Sequence, residues 1–133
     1  MMLNSQEGRA RRGSRVSVLL MAVLLGALPA TAHHAGAMFD RQKSITLSGT
    51  VRMFQWTNPH CWIELLVPGE NGDVEWSIEM GPPIDLFRNG WKPGTLKAGD
   101  KITVVAHPMR DTSMKVGLFV SATSSDGKLL GKD

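Results

Sequence analysis

The chain has 133 residues, 42% of them hydrophobic, with 15 Lys and Arg, 12 Asp and Glu, and a single cysteine. Residues 1–32 hold four of the basic residues and one acidic residue, so 33–133 carries eleven of each sign. A net-neutral chain without a Lys/Arg cluster lacks the surface that displaces counterions from phosphate, which excludes nucleic acid as a partner, and one cysteine excludes an intramolecular disulfide.

Arg9, Arg11, Arg12 and Arg15 precede an uncharged apolar stretch from Val16 to Leu28, followed by Pro29 and Ala30-Thr31-Ala32. This is the order of a cleavable export signal, with a small-x-small site for cutting before His33. The stretch falls short of the roughly 20 apolar residues that span a bilayer, and nothing downstream supplies a span. The reading is a signal peptide over 1–32 and a single periplasmic or secreted domain over 33–133; the alternative is an uncleaved anchor or a buried helix.

Within 33–133 the period is that of strands. Ile45, Leu47, Gly49, Val51 and Met53 alternate with Thr46, Ser48, Thr50 and Arg52, which predicts a first strand with a bend at Gly49. The turn Thr57-Asn58-Pro59-His60 interrupts it, since proline removes a donor and pushes Asn58 out of the helical region. A second strand is expected from Cys61 to Val67, a hairpin over Pro68–Asp73, and a third strand with Val74, Trp76, Ile78 and Met80 inward. Gly81-Pro82-Pro83 stops that strand and opens a short helix over Ile84–Arg88, closed by Asn89-Gly90. A fourth strand follows at Lys101–His107, a fifth at Val116–Ala122 and a last short one at Lys128–Leu130. This all-β order with one short helix between the third and fourth strands matches a five-stranded OB-like Greek-key barrel. A small β-sandwich is the alternative, although it ordinarily needs about seven strands.

All four histidines, His33, His34, His60 and His107, lie after residue 32. Cleavage after Ala32 would give His33 a free α-amine beside its imidazole, a chelating pair suited to Cu(II), which heads the divalent affinity order. His34 and His60 are further candidate ligands if the N-terminal arm folds back over the barrel mouth, and Met38, Met109 or Met114 could add a soft ligand for Cu(I). The plainer alternative makes His33 and His34 a polar terminus and His60 a turn residue bonded to a neighbouring carbonyl or carboxylate. His107, at a strand end, reads as an edge residue. Trp56 and Trp62 flank the His60 turn; exposed, they would form a face for a saccharide or an envelope protein, with Asn58, His60 and Glu79 as orienting groups. Trp56 falls on the polar side of the first strand's alternation, and Trp76 reads as core. Glu64, Glu75 and Glu79 read as solvated outer-face carboxylates, the alternative being an acid/base pair. Cys61 reads as a small buried hydrophobe, with a copper ligand or exposed thiol as the other options.

Ala32-His33-His34, Met38-Phe39-Asp40, Leu47-Ser48-Gly49-Thr50-Val51, Trp56-Thr57-Asn58-Pro59-His60-Cys61-Trp62, Glu79-Met80-Gly81 with Pro83, Arg88-Asn89-Gly90-Trp91 and Leu96-Lys97-Ala98-Gly99-Asp100 together resemble a family of small exported bacterial proteins catalogued as a domain of unknown function. The resemblance implies an exported single domain and brings no activity. The positions matching its motifs that can carry chemistry are His33, His34, Asp40, Asn58, His60 and Glu79. The resulting expectation is a binding protein, not an enzyme, with copper as its candidate metal and docking through Trp56 and Trp62 as the alternative.

Overall fold

The structure, a computed structural model, describes residues 34–131, which fall within the unit His34–Asp133. The expected export signal and His33 lie outside the described residues. The elements in order are α1 (His34–Ala37), β1 (Ile45–Gln55), β2 (Trp62–Val67), β3 (Val74–Glu79), α2 (Pro83–Arg88), β4 (Lys101–Pro108) and β5 (Val116–Ser124). The strands close into a barrel in the order β1-β2-β3-β5-β4. All neighbours are antiparallel except β3 and β5, which are parallel. With α2 between β3 and β4, this is the expected OB-like barrel; closure into one sheet leaves no second sheet for a sandwich. Among the described residues no helix is long and apolar enough to cross a membrane.

Val51, Ile63, Leu65, Ile78, Val104 and Cys61 fill the barrel. Trp91, just past α2, lies against this core, its ring edge-on to Phe119 at 5.5 Å and tilted on Phe54 at 5.9 Å. Burial also pushes the Cys61 thiol above its ordinary pKa, in keeping with a small core hydrophobe. Gly49 has no side chain because β2 lies close against β1 there: a Cβ would collide with the Leu66 carbonyl oxygen.

Two expectations about β1 need correction, and both have one cause. The register with β2 shifts between Val51 and Met53, so Val51 faces Leu65 and Met53 faces Glu64. The extra residue, Arg52, reverses the alternation. Met53 therefore turns outward and is exposed, whereas Phe54 turns inward opposite Ile63. Trp56 follows Phe54 to the inner side, half-buried, with the two rings edge-on at 5.8 Å. Two smaller corrections concern element ends. β2 begins at Trp62, one residue late, although Cys61 still pairs through Met80 N–H to Cys61 O at 2.9 Å. The last short strand reduces to one bridge, Thr123 to Leu129.

A candidate metal-binding face at the His60 turn

The chain between β1 and β2 turns through Thr57–His60, with a cis peptide at Asn58-Pro59. Thr57 Oγ1 donates to the His60 carbonyl oxygen at 2.8 Å and closes the turn. This presents the His60 ring to the last residue of β3, and Nδ1 meets Glu79 Oε1 at 2.5 Å. A carboxylate oxygen can only accept, so Nδ1 carries the proton and Nε2 is the nitrogen left for other partners. The Glu79 side chain is 12% exposed and the His60 side chain 39%, so the orienting group is sheltered and the oriented one is open to solvent. Two separate sequence segments thus meet at one hydrogen bond.

Glu79 belongs to a row of side chains on the outside of the barrel. Gln55 faces Trp62, Trp62 faces Glu79, Glu79 faces Leu118 and Leu118 faces His107. At a strand spacing of about 4.8 Å, Glu79 and His107 stand about 10 Å apart. His107 is more than an edge residue, because its Nδ1 lies 2.7 Å from the Lys43 carbonyl oxygen. Here too the acceptor sets the tautomer and leaves Nε2 without the proton. A sequence signal for this role existed only in the residue type, since the partner is a backbone atom 64 positions away.

The His107 contact is one of several that hold the segment after α1 on the end of β4. Asp40 N–H donates to Pro108 O at 2.8 Å, Arg110 N–H to Met38 O at 2.8 Å and Arg110 Nε–H to Ala37 O at 3.1 Å. Phe39 pairs with Met109 and is buried. The arm therefore lies along β4, at the far end of the row from Glu79, and not over the His60 turn. The Lys43 ammonium, bonded to Asp40 at 3.2 Å, holds that carboxyl below its ordinary pKa. His34 opens α1 at the start of this arm, and His33 precedes it outside the described residues.

The carboxylates do not all behave as solvated groups. Glu64 is 8% exposed. Ser77 Oγ donates to its Oε2 at 2.6 Å and Gln55 Nε2 to its Oε1 at 3.1 Å. Both oxygens are thus hydrogen-bonded, which is a structural role on the outer face. Glu75 is paired with Arg52 at 2.7 Å.

Trp56 and Trp62 do not share a face. Trp62 stands on the outer row opposite Glu79. Trp56 lines a separate groove of about 470 Å³ with Asn58, Pro83, Ile84 and Phe87. Ile84 and Phe87 are 57% and 59% exposed, so α2 turns an apolar edge to this groove.

Among the described residues, no three or more His, Cys, Asp or Glu side chains gather closely enough to hold a metal ion by themselves. The face presents oriented imidazoles singly: His60 beside Glu79, and His107 under the arm. No curated protein is similar enough in sequence to count as a relative. Residues 20–119 match the model of a family of unknown function, DUF6152, and the chain belongs to that family.

Proposed function

We propose that this domain is an exported metal-binding protein that takes copper. His60 is its anchored ligand; His34 and the amine and imidazole of His33 precede the part of the arm fixed on β4 and are the remaining donors, which copper would draw to His60. The observation that carries this reading is the Glu79–His60 hydrogen bond. Metal-ligating histidines characteristically give their other ring N–H to a carboxylate or carbonyl, which fixes the tautomer and raises the basicity of the ligating nitrogen. Neutral imidazole suits copper and zinc, and copper binds the tighter of the two. The arm that carries His34 is held at the His107 end of the outer row, about 10 Å from Glu79.

The test is a calorimetric Cu(II) titration of the protein recovered after export, its first residue identified by intact mass. Binding tighter than about 1 μM, weakened at least about tenfold by one extra residue before His33, supports the reading. Weaker binding, or indifference to that residue, overturns it.

A second reading rests on the groove beside α2. Its apolar lining and the single Asn58 amide suit an apolar side chain and adjoining peptide bond of an envelope protein. Trp56→Ala and Phe87→Ser should then abolish capture of that partner without changing the fold. Capture that survives both substitutions rejects it.

A further inference from the structure

The outer surface where β1 pairs with β4 holds a polar hollow that shares no residue with the His60 face. Ser48 faces Thr103 and Thr50 faces Lys101 across the two strands. Side chains directly opposite lie on one face of a sheet, as do those two apart along a strand. Leu47, Val51, Ile102 and Val104 take the inner face and are buried, so the four polar side chains stand together on the outer one. Ser48 Oγ and Thr103 Oγ1 are hydrogen-bonded at 2.8 Å, which fixes the pairing at the side chains themselves. Pro68, just past β2, and Ser125, just past β5, wall the hollow on either side, and it encloses about 350 Å³. That is the small end of the range for ligand pockets and takes one sugar ring with its substituents.

We propose that this hollow binds a carboxylated sugar, with the carboxylate at Lys101 and the ring hydroxyls at Ser48, Thr50, Thr103 and Ser125. Lys101 is the one charged side chain that lines it, and among the described residues its ammonium has no carboxylate partner. The neighbouring carboxylate, Asp100, instead accepts the Lys97 N–H at 2.8 Å. The backbone amides of β1 and β4 are committed to the sheet, so a ligand meets side chains. In the bonded pair one hydroxyl gives its proton to the other, and the receiving hydroxyl keeps its own proton to donate. With Thr50 and Ser125, the hollow offers groups that both donate and accept, as sugar hydroxyls do, beside one cation that only donates. A phosphate only accepts and is best held by arginine forks or clustered backbone N–H groups, and neither lines this hollow. A neutral sugar would leave the ammonium without its charge partner. This site stands apart from the copper reading.

The test is an amide NMR titration of the chain expressed in full and recovered as the cell leaves it, with glucuronate, glucose and inorganic phosphate as separate probes. Glucuronate should shift the amide signals of Ser48, Gly49, Thr50, Lys101 and Ser125, with a dissociation constant below about 1 mM. Glucose and phosphate should each bind at least about threefold more weakly. Lys101→Gln, at an exposed side chain that leaves the fold intact, should reduce glucuronate to the affinity of glucose. Ser48→Ala with Thr103→Val removes both partners of one hydrogen bond, a change close to neutral for stability, and should weaken glucuronate and glucose alike. Lys115→Gln, whose ammonium lies 5.5 Å from the Trp76 ring, should change none of these affinities. Absence of shifts at these amides, glucose or phosphate binding as tightly as glucuronate, or an unchanged glucuronate affinity in Lys101→Gln overturns the proposal. So does an equal loss in Lys115→Gln.

Discussion

At the scale of single residues, the chemistry of the face depends on which nitrogen of each ring is held. Glu79→Gln keeps the size of the side chain and a hydrogen-bonding group, but removes the charge that makes Nδ1 the protonated nitrogen. Changes to the group that orients a ligating imidazole commonly cost about 10- to 100-fold in metal affinity, and the proposed copper affinity should fall by that much with an unchanged circular dichroism spectrum. Glu64 presents the opposite case, a carboxylate that matters to folding. Ser77→Ala would strip one of its two donors in a site with little water, at a cost of about 1–3 kcal/mol, read from urea denaturation. Cys61 should resist iodoacetamide at pH 8 in the folded protein and react once it unfolds, because burial raises its pKa. Ready alkylation of native protein would show that the thiol is not in the core.

At the scale of elements, the strand periods, turn residues and the short helix were legible in the sequence because each has a local cause. Proline at 82 and 83 opens α2, and Asn89-Gly90 ends it, with Gly90 at φ 84°. What local pattern did not reveal was the bulge at Arg52. Its alternation continues smoothly through Met53 on paper, and only the pairing with β2 shows that one residue is extra. The same blindness applied to the site. The His60 turn and Glu79 were recognisable as separate candidates, but their bond depends on β2 and β3 pairing, and the tie from His107 to Lys43 depends on where the arm lies. Glu64 read as solvated because alternation reports the face and not what covers it. Gly49→Ala tests the close approach of β1 and β2: the added methyl meets a backbone oxygen that cannot move aside, so a loss of about 1–3 kcal/mol is expected. A neutral effect would show that the strands do not approach so closely.

At the scale of the whole molecule, acid stability follows from loop carboxylates. Asp40 is held by Lys43, Asp111 by Ser113 and Asp126 by Ser124, and each has a pKa below its ordinary value. A carboxyl with a lowered folded pKa adds stability above its unfolded value and loses it as pH falls through the folded one. The melting temperature should therefore hold down to about pH 4 and fall below it; a curve that stays level to about pH 2 would contradict these contacts.

The barrel, the arm tied to β4 and the row running from Glu79 to His107 make one face. The central claim is that this face binds copper through the nitrogen of His60 that Glu79 leaves free. Nitrogen NMR of the imidazole rings, before and during copper titration, tests it most directly. In the metal-free protein His60 should carry its proton on Nδ1, with Nε2 unprotonated. Substoichiometric Cu(II) should then broaden the Nε2 resonance of His60 before other side-chain signals of the barrel. A neutral His60 ring with its proton on Nε2, or a His60 ring that Cu(II) leaves sharp, would contradict the claim.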